Sequence, residues 1–343
     1  MRICSDCFHA PSWPANALGE PSSGKCSFCC KVRKSWEPKA WSEHLLGLLD
    51  LYDISAEGLP IGERVQKDWS LFRTDRTDLI SDFIVEAVKG TEYKVSQLTT
   101  IEPKREAGLG LVGKWENLSN ELRNTDRYFA VGAVDFRDSI SGLLRQHTSL
   151  MKQGNRLYRA RVHEQSEQFA PKDLDAPPKD LCTPGRANPA GIRYIYLAHS
   201  HDTAIHEVRP QRGAVVAFGE FAVQRDLELF SLVTNDAPDF FGDGASDALD
   251  VRALVLALAE QLQAPVLQAS GPIDYVPTQY LCSLVRAEGL DGVEYPSSLD
   301  SSGTNVVLFE PDDVKVNDNI EYVRIDTVSV DWSVTTLPDL GGS

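Results

Sequence analysis

From Trp36 to about Gly154, apolar residues recur three and four positions apart. Trp41, Leu45, Leu48 and Tyr52 form one stripe, and Leu79, Phe83 and Ala87 form another that stops at Gly90. This is the period of amphipathic helices closed by a glycine. Ile140, Leu143, Leu144 and Met151 carry the pattern on to Gly154, so four or five helices packed as a small bundle are predicted, with PKREAGLGLVG at 103 to 113 as a loop. The texture changes at Arg156. RLYRARV, IRYIYLA, GAVVAFGEFAV and TNVVLFE are short, apolar or alternating, and rich in β-branched and aromatic residues, which predicts strands. Between them VRALVLALAEQLQ and TQYLCSLVRAEGL keep a helical period, and PKDLDAPPKDLCTPG reads as a proline-rich surface loop. The predicted class is α+β, with a helical amino-terminal region followed by a mixed α/β domain.

Composition narrows this picture. The chain has 343 residues, 42% of them apolar, enough for two or three compact units. With 50 acidic against 34 basic residues it lacks the basic footprint of a nucleic-acid binder. No run of 18 apolar residues and no apolar signal core appear, so the expectation is a cytoplasmic protein with no membrane segment.

Five of the seven cysteines fall in the first thirty residues. Cys4 and Cys7 make one C-x2-C, and Cys26 and Cys29 another, 18 residues further on. Two thiolate pairs joined by such a loop suit one tetrahedral zinc ion, and four sulfur ligands leave no open position, so the expected role is structural. Cys30 can substitute for Cys29. The expected division is a zinc knuckle at 1 to 35, a helical domain at 36 to 154 and the mixed domain at 155 to 343.

The stretch GRANPAGIRYIYLAHSHDTAIHEVRP, residues 185 to 210, reads as a turn-rich loop, a strand, and a short helix that starts near Ser200 or Asp202 and ends at Pro210. Together with LYRAR at 157 to 161 and DGVEYPSS followed by TNVVLF, it resembles the RES domain, over roughly residues 155 to 315. The preceding half resembles the HEPN/RES amino-terminal domain. The resemblance implies a fold similar to ADP-ribosyltransferases. It also implies a toxin of a bacterial toxin–antitoxin pair that destroys NAD by hydrolysis or phosphorolysis, with a helix-turn-helix antitoxin or another inhibitory protein as partner. A second copy of the chain is a further candidate partner. Carried over residue by residue, the family's functional positions fall on Arg159, Arg186, Tyr196, Glu207 and Ser297, with Arg161 and Ser298 as alternatives to their neighbours.

These residue types suit cleavage of an N-glycosidic bond to a pyridinium. Nicotinamide leaves neutral, so the developing charge is the oxocarbenium of the ribose, and a carboxylate beneath it is the natural stabiliser. Glu207 fills that role from a helix. Arg159 and Arg186 offer planar forks to the NAD phosphates. Tyr196 offers a ring for stacking, and Ser297 a hydroxyl for phosphate or ribose. Each has a plainer alternative: a solvated glutamate, a surface ion pair, a core tyrosine, a turn serine. His199, His201 and His206 crowd the same helix and are expected at its surface or the cleft edge rather than on a metal. The acceptor stays open between inorganic phosphate, water and a macromolecule, the last making the protein an ADP-ribosyltransferase. A zinc-ordered binding module is the alternative of another class. The arginine–spacer–histidine pattern of HEPN ribonucleases is missing from the helical half.

Overall fold

The structure is a computed structural model that describes residues 1–9, 18–104, 110–164, 168–233, 245–264, 272–300 and 302–329. By packing, the chain forms two compact units. The first comprises Met1–Thr148, Gly185–Ala187 and Phe230–Glu288, and the second Ser149–Pro184, Asn188–Leu229 and Gly289–Ser343. This partition differs from cuts placed at 35 and 154 along the sequence.

The first unit opens with a β-ribbon, β1 (Ser22–Lys25) and β2 (Val32–Ser35), that carries the cysteine loops. Next come α1 (Ser42–Leu49), β3 (Tyr52–Pro60), α2 (Ile61–Trp69), α3 (Thr77–Val88) and β4 (Thr100–Pro103), then α4 (Leu111–Asn124) and α5 (Gly132–Gln146). The knuckle has no core of its own. Phe8 lies 4.5 Å from Trp41 and edge-on to Phe72, and Phe28 stacks on Phe72, so its aromatics enter the same buried cluster as Trp41, Trp69 and Phe83. Two expectations shift here. Tyr52 ends no helical stripe: α1 stops at Leu49 and Tyr52 opens β3, where its hydroxyl donates to the buried Asp68 at 2.9 Å. Met151 lies in a strand, because the helix before it ends at Gln146.

The second unit is built on a nine-stranded sheet. In chain order its elements are β5 (Thr148–Met151), β6 (Arg156–Val162), α6 (Pro171–Leu174), β7 (Ile195–Ala198), α7 (His201–Glu207), β8 (Val215–Val223) and β9 (Leu227–Ser231). Then follow α8 (Ala245–Gln263) and α9 (Val276–Ala287), which pack in the first unit, and β10 (Gly292–Pro296), β11 (Thr304–Leu308), β12 (Val314–Val316) and β13 (Glu321–Arg324). The spatial order is β12-β8-β6-β7-β11-β10-β9-β5, with β13 also on β8. Leu254, Val255, Leu258 and Leu262 make α8 apolar on the face that meets α2 and α4, which explains why it leaves the sheet's unit.

The two sheet faces differ in bulk. One is covered by Leu157, Ile195, Leu197, Phe221, Val306 and Leu308, with Leu174 from α6. The other carries Ala160, Ala198 and Phe218 under Ala204 of α7, small side chains that let a short helix lie close. Among the described residues no helix is long and apolar enough to cross a membrane.

Gly62 enters α2 where an added Cβ would lie 2.2 Å from the Thr77 carbonyl oxygen and 2.5 Å from Ser81 Oγ. Gly62→Ala should therefore destabilise the first unit by about 1–3 kcal/mol, the usual cost of overpacking, read from its melting transition.

Candidate active site and metal centre

Strands β6 and β7 share a single antiparallel pair, Tyr158 with Ala198. Beyond it they part, and a pocket of about 150 Å³ opens between residues 158–160 and 196–198, roofed by Ala204, Glu207 and Val208 of the α7 segment and reached by Tyr295 and Asn305. The strand period of two decides what each side supplies. Tyr158 and Ala160 face α7, whereas Arg159 is directed to the opposite face, where its Nη1 donates to the Leu174 carbonyl at 3.1 Å. Burial, reinforced by the nearby Arg161 charge, pushes Arg159 down to about 10.

Helix α7 begins as expected at Ser200, whose Oγ accepts from Thr203 N at 3.1 Å. Thr203 Oγ1 donates to Asp300 Oδ2 at 2.7 Å, which ties the helix to the 297–303 loop and holds the Asp300 carboxyl below the usual range. An added Cβ at Gly303 would lie 2.5 Å from both partners, so the clamp closes only over glycine. At the other end of the helix, Glu207 Oε1 accepts from Ser297 Oγ at 2.8 Å and from Asn305 Nδ2 at 2.7 Å. Both donors are buried and the carboxylate is exposed. Among the described residues Oε2 receives no hydrogen bond and remains available to a ligand.

Of the residues expected at the site, Glu207, Tyr196 and Arg159 line one pocket, with Ser297 bonded to the first. The Ser297 hydroxyl also accepts from the Leu299 and Asp300 amides at 3.2 and 3.3 Å, so it is committed to holding Glu207 rather than directed at a ligand. Tyr196 donates its hydroxyl to Asn188 Oδ1 at 2.7 Å, while Asn188 Nδ2 donates to the carbonyls of Thr183, Pro189 and Ile192. The ring is thereby anchored at its polar tip and borders the pocket. Besides Ser297, three expected residues do not line it. Arg186 belongs to the first unit, where its Nη1 donates to the Leu262 carbonyl at 2.7 Å, an orphan acceptor at the end of α8. Arg161 donates to the Asp175 carbonyl at 3.5 Å, and Ser298 is exposed. The histidines lie where a surface or cleft-edge role places them. His199 pairs with Glu294 at 2.7 Å, His201 stacks 4.0 Å from Tyr158, and His206 is exposed.

Asn305, Tyr158, Tyr295 and Asn188 were missed. A usable signal existed for Asn305, which is the polar residue inside the apolar run TNVVLFE. A buried amide in a strand needs a partner.

Cys4, Cys7, Cys26 and Cys29 bring their sulfurs within 4.8 Å of one another. The separations are 3.6 Å for Cys4–Cys7 and 3.8 Å for both Cys4–Cys29 and Cys7–Cys26. A tetrahedron with Zn–S of about 2.3 Å has edges of about 3.8 Å, so the four fit one zinc ion. Cys30 is exposed in a left-handed turn at φ 59° and lies outside the cluster. Burial pushes the Cys4 and Cys7 thiols up, and the Lys31 backbone amide draws Cys29 down to about 7. A cation would favour the thiolate at all four.

The family model for the RES domain matches residues 156–333, slightly more than half of the chain. A sheet that splits over a helix-borne glutamate thus sits in a recognised domain class, and the chain belongs to the RES domain family. No curated protein matches it in sequence. Among solved structures it is similar to a chain of the "M.tuberculosis MbcT-MbcA toxin-antitoxin complex", at 14% identity and a TM-score of 0.32, over 54% of this chain and 91% of that one. Such a likeness is too distant to assign residues.

Two measurements check the centres described. Elemental analysis should find about one zinc ion per chain, and Cys4→Ser with Cys26→Ser should abolish it. Because Phe8 and Phe28 share the helical core, the melting transition of the whole first unit should fall with the metal, not the knuckle alone.

Proposed function

We propose that the pocket breaks the nicotinamide N-glycosidic bond of NAD, with inorganic phosphate or water as acceptor, and that the protein acts in the cytoplasm as the toxin of a bacterial toxin–antitoxin pair. Membership of the RES family supports the class. The observation that carries the chemistry is the Glu207 carboxylate at the pocket, with Oε1 fixed by Ser297 and Asn305 and Oε2 open.

In the reaction the C1″–N bond breaks, its electron pair passes to the pyridinium nitrogen, and nicotinamide leaves neutral. The ribose carbon gains positive charge, and the carboxylate beneath it needs no reorganisation, because buried donors already hold it. An oxygen of phosphate then bonds to C1″ and gives ADP-ribose 1″-phosphate. Water in its place gives ADP-ribose and releases a proton. A pocket of about 150 Å³ is below the roughly 300–1,000 Å³ of whole-ligand sites, so it receives the nicotinamide end while the diphosphate and adenosine lie outside. Tyr196 supplies an anchored ring face to the nicotinamide. A helix-turn-helix antitoxin is the expected inhibitor.

Glu207→Gln retains shape and loses charge, so NAD cleavage should fall about 100-fold or more, with melting unchanged. Asn305→Ala removes one of two donors to Oε1 and should lower kcat about tenfold with a smaller effect on KM, since the carboxylate matters most in the transition state. Chromatography of products across a phosphate titration identifies the acceptor. Phosphate-dependent acceleration with ADP-ribose 1″-phosphate is the expected outcome. Constant rates and free ADP-ribose would show a glycohydrolase, and label carried onto protein or nucleic acid would show a transferase.

A further inference from the structure

The connection between α4 and α5 displays apolar side chains to solvent. Tyr128 is 89% exposed, Phe129 83%, Val131 87% and Val134 62%. Val131 and Val134 are one helical turn apart and point outward, whereas Phe136, Ile140 and Leu144 of the same helix are buried. Among the described residues the other exposed large apolar side chains lie far apart along the chain, which is ordinary for a surface; this grouping is not.

The loop is held in place. Asp126 Oδ1 accepts from the Tyr128 amide at 2.8 Å and the Phe129 amide at 2.9 Å, and these bonds keep its carboxyl below the usual range. Glu121, in the last turn of α4, accepts from Val131 N through Oε1 at 2.6 Å and from Gly132 N through Oε2 at 3.1 Å, which satisfies amides at the start of α5. Tyr280 of α9 donates to the Ala133 carbonyl at 3.3 Å, and Ala130 is buried. Two carboxylates and a tyrosine thus fix a backbone whose apolar side chains add nothing to the core. A surface ordered in advance has little left to lose when it meets a partner.

We propose that this surface is a two-fold interface between two copies of the chain. Area is the first argument. Exposed rings offer about 150–250 Å² each, so with the two valines the patch amounts to roughly 500–700 Å² per copy, and a symmetric contact buries roughly 1,000–1,400 Å², enough for a specific interface. Charge is the second. The exposed residues flanking the patch carry both signs, Arg127 and Arg137 against Asp135 and Asp138, and among the described residues Arg127 forms no ion pair. A uniformly acidic or basic partner meets repulsion from one of these sets. An identical surface turned through two-fold symmetry offers each sign its opposite. With a net charge of -16 the chain also repels an anionic membrane or nucleic acid. None of these residues lines the pocket, and the interface does not depend on the activity proposed above.

Sedimentation equilibrium of the full chain at about 0.15 M salt tests the interface. The expected result is a reversible species of twice the 37.9 kDa chain mass. Replacing both rings, Tyr128→Ser with Phe129→Ser, should raise its dissociation constant about 30-fold or more, the effect of losing a central aromatic anchor, at unchanged melting temperature and zinc content because both side chains are exposed. Arg127→Glu should weaken the dimer, whereas the same charge change at the exposed Arg212 of the second unit should not. In the wild type, hydrogen exchange at residues 126–134 should slow as concentration rises, which locates the contact without any substitution. A wild type that stays monomeric at all concentrations, a dimer indifferent to the paired serine change, or exchange at 126–134 independent of concentration would overturn the proposal. So would a monomer that binds phosphatidylcholine vesicles through the same two rings, since the surface would then belong to a membrane.

Discussion

The candidate site depends on a ladder that stops after one residue pair. Antiparallel strands normally pair along their length, because each unpaired buried amide or carbonyl costs free energy. β6 and β7 pair only at Tyr158 and Ala198 and then separate, while their outer neighbours β8 and β11 keep full ladders and hold the frame. The gap exposes both faces of β6 to one cavity. A residue from each face, Tyr158 and Arg159, can therefore border the same ligand, which an unbroken sheet forbids.

The helix over that gap is short, and seven residues contribute little stability by themselves. Its position comes instead from fixed contacts at both ends: the Ser200 cap and the Thr203–Asp300 bond at the start, and the pair of buried donors to Glu207 at the end. Alanines at 160, 198 and 204 set the depth at which it rests. A charged group on a marginal helix is thus held as firmly as one on a strand.

Much of this was legible in the sequence. The cysteine spacing, the strands RLYRARV, GAVVAFGEFAV and TNVVLFE and the capped helix bearing Glu207 lie where their patterns put them, because each is local: a cap, a period or a pair of knuckles. What was illegible depends on long-range packing. The GRAN motif suggested a place for Arg186 beside Arg159, but the segment 185–187 is held by α9, through Thr278 and Gln279 donating to its carbonyls, and the guanidinium follows it to α8. Tyr52 fell on a helical stripe by spacing alone, since a strand start four residues beyond Leu48 satisfies the same count. That Arg159, Arg161 and Arg193 donate to the carbonyls of Leu174, Asp175, Ala176 and Pro177 is invisible in one dimension, because local patterning reads that segment only as a proline-rich loop.

The first unit is assembled from three separate lengths of chain, and the last of them ends at Glu288. During synthesis the amino-terminal helices emerge with apolar faces that α8 and α9 cover only after about 140 further residues have been made. Contacts of such high sequence separation slow folding and lengthen the time during which partly covered cores are exposed. The second unit shares the constraint, because Ser297, in the loop after β10, and Asn305, in β11, both follow α9. Neither the core nor both of the carboxylate's donors exist until the chain has been made past residue 305, so a nascent or truncated chain that stops short of it lacks the Glu207 arrangement by topology alone.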